Sequence, residues 1–83
     1  MKLIYFARVK QMVGKAEEEV ELPEGIATVG ALIEWLKGRD EGYAHAFADL
    51  RVVRAANNQA HVQLDAPLTG AHEIAFFPPV TGG

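Results

Sequence analysis

Apolar and polar residues alternate at the start of the chain, as they do in a half-buried β-strand. Over residues 2–10 the charged side chains fall on one side of the alternation. The opposite side holds Leu3, Tyr5, Ala7 and Val9. We therefore predict a strand over residues 2–10 whose apolar side faces the core.

A second strand is predicted over residues 17–22, where Val20 and Leu22 share a side and the glutamates solvate the remainder. Gly14 lies in the connection between the two strands, and Pro23 ends the second one. This part of the chain is therefore expected to form two strands joined as a hairpin.

A helical period follows the two strands. Thr28 can cap a helix whose apolar residues recur at positions i, i+3, i+4 and i+7, and Gly38 can end it. These apolar residues are Val29, Leu32, Ile33 and Leu36. A short second helix is predicted over residues 43–48, with Phe47 anchoring it in the core.

Three further strands complete the predicted order. Two short ones, over residues 52–56 and 61–64, are separated by the turn signal Asn57-Asn58. The last strand, over residues 73–77, is as hydrophobic as the first, so we expect these two to pair at the centre of the sheet. The prediction is an α+β fold in which a mixed sheet of four to five strands is covered on one face by one main helix and a short second helix. This is the ubiquitin-like β-grasp arrangement.

Composition limits both the size and the function class of the protein. The 83 residues, 49% hydrophobic and 23% charged, are expected to form one globular domain. The net charge is −3 and the eight Lys and Arg residues form no cluster, which argues against nucleic acid as a partner. Because no apolar run is long enough to cross a membrane, we expect a cytoplasmic protein without a membrane partner.

The side chains offer little chemistry of their own. The sequence contains no cysteine, so any sulfur that the protein handles is not held on a side-chain thiol. The three histidines are widely spaced, and we expect no metal site. There is no glycine-rich nucleotide loop and no nucleophile beside a base, so we expect no cofactor bound by this chain and no turnover by the chain alone.

The sequence ends in the octet 76–83, Phe-Phe-Pro-Pro-Val-Thr-Gly-Gly. Glycine has no Cβ, so a catalytic cleft can close around a diglycine, while the prolines fix φ and aim the segment outward. An extended chain from Pro79 to Gly83 reaches roughly 16 Å. We therefore predict a domain over residues 1–78 and an extended tail over residues 79–83, whose terminal carboxylate reacts inside another protein.

Apolar residues also fall on the outer face of the predicted sheet. The alternation puts Ile4, Phe6 and Phe77 on the face opposite the helix, and His61 is a candidate to join them. Contiguous apolar residues on neighbouring strands mark docking sites more often than isolated ones do. We predict that these four residues form a partner-binding face.

Residues 57–83, and above all the final octet, resemble the small subunit of molybdopterin synthase, a family of ubiquitin-like sulfur carriers. The octet is highly specific, and the resemblance extends over the whole chain. Its other elements are Phe6-Ala7, Val13-Gly14, Thr28-Val29 and Pro67-Leu68. The chain departs from the family at Gly70-Ala71-His72-Glu73, where Gly-Asp-Glu is usual, and this affects a surface turn only.

The resemblance implies a role for each tail residue. Gly83 would be adenylated by an ATP-using adenylyltransferase similar to ubiquitin-activating enzymes, and a sulfur donor protein would convert it to a thiocarboxylate. Gly82 and Thr81 would thread the partner clefts, and Pro78 and Pro79 would contact the partners. The sulfur would then pass to a pyranopterin precursor in the large synthase subunit, within a heterotetramer, to form the molybdopterin dithiolene.

Two alternatives remain open at this point. The chain could carry sulfur for another product, such as the thiazole of thiamin. It could instead be a ubiquitin-like protein modifier or binding module, in which Gly83 is joined to lysines or is never activated.

Overall fold

The computed structural model describes residues 1–79, which form five strands and three α-helices. In chain order these are β1 (Lys2–Tyr5), α1 (Ala7–Val13), β2 (Glu17–Glu19), α2 (Val29–Lys37), α3 (Glu41–Ala46), β3 (Arg54–Asn57), β4 (Ala60–Val62) and β5 (Glu73–Phe77). One turn of 3-10 helix, Leu50–Val52, connects α3 to β3.

The five strands form one mixed sheet in the order β2-β1-β5-β3-β4. The last strand, β5, is central: it runs parallel to β1, with Ile4 opposite Ala75, and antiparallel to β3. This confirms the expectation that the first and last strands pair, and it confirms the β-grasp fold class.

The helices cover one face of the sheet and bury a single core against it. Phe76 is completely buried; its ring stacks on Tyr5 at 6.2 Å and meets Phe47 edge-on at 5.0 Å. The predicted main helix is confirmed as α2: the Thr28 hydroxyl accepts a hydrogen bond from the Ala31 amide at 3.1 Å. Its four predicted apolar residues are fully buried: Val29, Leu32, Ile33 and Leu36.

The predicted strand over residues 2–10 is wrong beyond Tyr5. The chain turns at Phe6 and forms α1, whose C-cap Gly14 adopts a left-handed φ of 89°. Val9 is still buried, but it reaches the core from a helix, and Ala7 is exposed. Within so short a segment the apolar residues satisfy the helical and the strand period equally well, so alternation alone could not separate the two.

The second strand is also shorter than predicted. It ends at Glu19, the partner of Lys2 at the start of β1, and Val20 and Leu22 pack on the core rim from the following loop. Not all of the glutamate side chains point to solvent. Glu18 lies opposite Leu3 in the antiparallel register and therefore points to the core face.

The remaining elements differ from the prediction mainly at their ends. The short second helix is α3, capped by Asp40, and Phe47 follows it as a completely buried residue. Strand β3 starts two residues later than predicted because the 3-10 turn occupies Leu50–Val52. Asn58 and Gln59 form the β3–β4 turn, both with positive φ, and β5 matches its predicted bounds.

Glu18 is the centre of a polar cluster that joins three elements. Its carboxylate accepts hydrogen bonds from the hydroxyls of Tyr5, at 2.7 Å, and Tyr43, and from Arg39 at 3.2 Å. Burial alone would raise the pKa of Glu18, but the hydrogen bonds from Tyr43, Tyr5 and Arg39 outweigh it and hold that pKa below its ordinary value. Burial and the hydrogen bond to Glu18 raise the pKa of both tyrosines, so the phenols remain donors to an ionised carboxylate.

None of the helices within residues 1–79 combines the length and the apolarity needed to cross a lipid bilayer.

Gly42→Ala should destabilise the fold, because a Cβ at this position would lie 2.6 Å from the backbone oxygen of Met12, where α3 packs on α1. A backbone atom cannot swing aside, so we expect a loss of about 1–3 kcal/mol in the free energy of unfolding, measured by urea denaturation. Gly38→Ala is the matched control, since its Cβ would make an ordinary 3.5 Å contact. Equal stabilities of the two variants would contradict the proposed close packing.

Glu18→Gln should lower the free energy of unfolding at pH 7 by about 1–3 kcal/mol, because hydrogen bonds to a charged acceptor are replaced by weaker ones. In the wild type, the lowered pKa of Glu18 adds stability above its ordinary value of about 4.3, and this stability is lost as the pH falls through the folded-state pKa. The variant should therefore lose less stability than the wild type between pH 5 and pH 3. The difference between the two losses should be on the order of the deficit in unfolding free energy that the variant shows at pH 7.

The control for this measurement is Glu21→Gln, at an exposed position shortly after β2. Urea titrations of wild type and both variants across this pH range test the prediction. A Glu18→Gln variant that keeps the full acid-dependent loss of stability would show that Glu18 is not its source.

Candidate functional site

The uncovered face of the sheet carries the side chains that alternate with the core residues. The strand register aligns Ile4, Ala75, Ala56 and His61 in one row across β1, β5, β3 and β4. The next row towards the end of β5 contains Phe77. Phe6, which directly follows β1, lies near it, because the Phe6 amide donates a hydrogen bond to the backbone oxygen of Phe76 at 3.0 Å. Residues that are far apart in the sequence are thereby brought to one surface.

These residues form a shallow depression of about 550 Å³. Ala56 and Ala75 are its floor, and the larger side chains form its walls. Phe6 is 49% exposed, and the His61 ring lies 5.0 Å from that of Phe77. We call this surface the open-face patch; its members are Ile4, Phe6, Ala56, His61, Ala75 and Phe77.

The structure brings together all four side chains that the sequence assigned to a docking face: Ile4, Phe6, His61 and Phe77. Pro78 and Pro79, also assigned to partner binding, line a different groove of about 460 Å³ next to α3. The two prolines are therefore separate from the open-face patch, although they follow Phe77 directly in the chain.

Sequence reasoning missed the floor of the patch. Ala56 and Ala75 are small and were given no role, yet small residues between larger apolar ones create the space that a partner's side chain can fill. Gln59 and Glu73 also line the depression as polar groups. The alternation of β5 could have identified part of the floor, because it places Ala75 on the same face as Phe77.

The backbone at the edge of the patch is unusual. Ala7, directly after Phe6, has a φ of 50°, a left-handed value that residues with a Cβ seldom adopt. This conformation turns the chain from β1 into α1 within one residue. It leaves Phe6 at the end of the sheet, where its ring is half exposed instead of packed under the helix.

Three of the predicted site residues, Thr81, Gly82 and Gly83, lie outside the described part of the chain, so their assigned roles stay predictions. What the structure does define is the segment that leads to them: Phe77 ends the central strand, and Pro78 and Pro79 follow it in the groove beside α3.

Within residues 1–79, no group of three or more His, Asp and Glu side chains is arranged to hold a metal ion. The ionisable groups around Glu18 hydrogen-bond one another and hold elements together. The described surface near the tail is lined mainly by apolar side chains, which offer contact area for another molecule.

Comparison with known proteins assigns the family. The sequence matches the ThiS family over residues 3–83. It is 40% identical to the molybdopterin synthase sulfur carrier subunit of Escherichia coli over 83 residues, which is 100% of this chain and 99% of that protein. It is 31% identical to the Haemophilus influenzae protein of the same name, again over 100% of this chain and 99% of the relative.

Solved structures agree with this assignment. The fold superimposes on SAMP1 from Haloferax volcanii with a TM-score of 0.74 and 27% identity, covering 100% of this chain and 98% of that one. It superimposes on a Pyrococcus furiosus structure described as molybdopterin converting factor, subunit 1, with a TM-score of 0.73 and 40% identity over 95% of each chain. The sequence match and the shared fold together show that this chain belongs to the ThiS family.

Proposed function

We propose that this protein is the sulfur carrier subunit of a molybdopterin synthase and acts in molybdenum cofactor biosynthesis. The observation that carries the proposal is the 40% identity, over the whole chain, to a relative named as that subunit. The match to the ThiS family extends through Gly83, so it includes the diglycine. The large synthase subunit is the partner that this function requires.

The proposed chemistry takes place at the carboxylate of Gly83. A terminal carboxylate has a pKa of about 3.3–3.7, so at neutral pH it is an anion that resists nucleophilic attack. An ATP-using adenylyltransferase would supply the activation: a carboxylate oxygen attacks the α-phosphorus of ATP and pyrophosphate leaves. A hydrosulfide ion released by a sulfur donor protein would then attack the acyl carbon, AMP would leave, and loss of the proton would give the thiocarboxylate.

The composition of the chain is consistent with activation and sulfur supply by partner proteins. With no cysteine in the sequence, the carrier has no side-chain thiol on which to hold the sulfur. Gly82 and Thr81 would thread the cleft of each partner, and Gly82, which has no Cβ, needs the least room there. In the large subunit the thiocarboxylate would give its sulfur to the pyranopterin precursor, which builds the dithiolene.

The open-face patch would dock the partners. Its alanine floor and apolar walls can take up a bulky apolar side chain, and half-exposed Phe6 supplies contact area at its margin. Because Phe77 belongs to the patch and also leads into the tail, docking there would fix where the tail enters the cleft. We place these steps in the cytoplasm, where ATP is available to the activating enzyme.

A protein-modifier function is the second candidate. It is favoured by the fold match to SAMP1, which appears in a second structure as a small archaeal modifier protein. In that case Gly83 would be joined to lysines of other proteins. The thiamin alternative has less support, because the curated relatives described above are both molybdopterin synthase subunits.

Adding one alanine after Gly83 should abolish sulfur loading, because the new terminus presents the wrong acyl group to the activating enzyme. Intact-mass spectrometry after incubation with the activating enzyme, ATP and the sulfur donor should show a gain of about 16 Da in the wild type, as sulfur replaces oxygen. An alanine added before Met1 is the control and should leave the gain unchanged. A loaded C-terminal extension would contradict the assigned site, and a ladder of larger conjugates would favour the modifier function.

Phe6→Asp should leave the domain folded and weaken its binding to the large synthase subunit about tenfold or more, since a half-exposed ring is exchanged for a charge that must be desolvated. Titration calorimetry measures the affinity, and circular dichroism verifies the fold. Ala27→Asp, at an exposed position before α2, is the matched control. Wild-type affinity in Phe6→Asp would remove Phe6 from the docking surface.

A further inference from the structure

A second apolar surface surrounds the point where the chain leaves the sheet. We call it the proline groove, and it is formed by Ala48, Val52, Val53, Pro78 and Pro79. Its volume is about 460 Å³. Arg8 of α1 also lines it, so the groove lies between the first helix, the 3-10 turn and the two prolines.

Val52 is the prominent side chain of this groove. Among residues 1–79, the large hydrophobic side chains that are strongly exposed are Phe6, at 49%, and Val52, at 44%. Phe6 belongs to the open-face patch and Val52 to the proline groove. The exposed apolar residues of the domain therefore flank the root of the tail on two sides.

The turn that carries Val52 is held in place by local hydrogen bonds. The Asp49 carboxylate accepts from the Arg51 amide and from its guanidinium, each at 3.0 Å, and the Val52 amide donates to the Asp49 oxygen at 3.2 Å. The Asp49 side chain thus accepts the hydrogen bond of a backbone amide in the turn, as the side chain of an N-cap residue does at the start of an α-helix. Val52 is thus presented on a defined backbone, which lowers the entropy lost when a partner packs against it.

The length of the tail determines how near a partner must come. Four residues follow Pro79 up to the carboxyl end at Gly83, so the reacting carbon lies within roughly 16 Å of Pro79 even in a fully extended chain. A cleft that reaches this carbon must bring its rim up to Pro78 and Pro79. Because both prolines line the groove, the rim also meets Val52.

The size of a stable interface leads to the same surface. A specific complex needs about 800 Å² and 20–30 residues from each partner. The depression on the open face is lined by eight residues, and the proline groove is lined by ten more. The residues of the depression alone fall short of such an interface, so a stable complex needs further surface nearby, and the proline groove lies next to the same end of β5.

We propose that the proline groove is the second half of the docking surface for the large synthase subunit, and that it seats an apolar side chain from the rim of the tail-binding cleft against Val52. This inference rests on the proposed function and adds a site to it. The large subunit is the occupant because the curated relatives are named as subunits of the synthase, and an interface between subunits requires the larger contact area.

The test uses the full-length carrier and the purified large subunit. Val52→Asp should weaken binding about tenfold or more in titration calorimetry, and Val52→Leu, which keeps the apolar contact, should stay within about twofold of the wild type. Ala27→Asp is the control for a new charge on the surface. Since Val52 is exposed, all three variants should fold, and thermal unfolding monitors this.

Hydrogen exchange provides an independent readout. The amides of residues 48–53 should gain protection when the large subunit binds, and those of residues 24–27 should not. Wild-type affinity in Val52→Asp, or unchanged exchange over residues 48–53, would overturn the inference.

The outcomes also separate this inference from the proposed function. If the wild type binds and Phe6→Asp weakens binding while Val52→Asp does not, the groove inference fails and the sulfur-carrier function stands. If the wild type itself does not bind the large subunit, the proposed function fails and the groove assignment fails with it.

Discussion

The parallel pairing of β1 with β5 is the constraint on which the rest of the molecule depends. Parallel strands in register end at the same edge of the sheet, so the residue after β1 and the end of β5 emerge side by side. The Phe6 amide continues the ladder by donating to the Phe76 oxygen at 3.0 Å. A slip of one residue would exchange the two faces of the strand, burying Ala75 and exposing Phe76.

The core and the open face are therefore set by one register. Tyr5 and Phe76 lie opposite each other on the covered face, and their stacked rings fill the space under the helices. On the other face the same register places Ile4 opposite Ala75. The small side chain of Ala75 leaves a depression beside the larger Ile4. The residues that stabilise the fold thus also determine the shape of the surface offered to partners.

Sequence patterns correctly predicted the elements whose apolar residues fit only one period, either that of a strand or that of a helix. The bounds of β5 and the buried stripe of α2 follow from strict alternation and from four apolar residues at helical spacing. The helix α1 was missed, because a buried Val9 agrees with either period and the left-handed Ala7 that separates strand from helix has no sequence signature. Local patterns do not contain the tertiary contacts that decide such cases.

The role of Glu18 was missed for a different reason. It shares one side of the predicted strand 17–22 with Val20, so the strand period places a carboxylate on the core face, where burial of a charge is unfavourable. Its partners are Tyr43, 25 residues further on, and Arg39, and the pairing depends on how α3 is placed over the sheet. A polar residue at an apolar position was itself the signal of a buried hydrogen-bond cluster.

For the candidate site, the sequence identified the side chains and the structure supplied their grouping. Ile4, Phe6, His61 and Phe77 could be assigned to one face by counting alternate positions. That Pro78 and Pro79 instead line a groove beside α3 could not be counted, because it depends on where the helices and the 3-10 turn pack. The same packing links the core to the groove: the Glu18 cluster holds Tyr43, and Ala46, one turn further along α3, lines the groove wall.

Placing both apolar surfaces on the folded domain has a consequence for the proposed function, in which an activating enzyme and then a synthase bind the same carrier. Both surfaces lie on a body whose contacts are set by the sheet and helices, and the proposed chemical change takes place at Gly83, four residues beyond Pro79. Replacing a carboxylate oxygen by sulfur at that distance alters neither the open-face patch nor the proline groove. Under the proposed function, docking on the domain would give each partner affinity for the carrier in both states, and the choice between loaded and unloaded carrier would be made inside the clefts, by groups that contact the terminal carboxylate or thiocarboxylate.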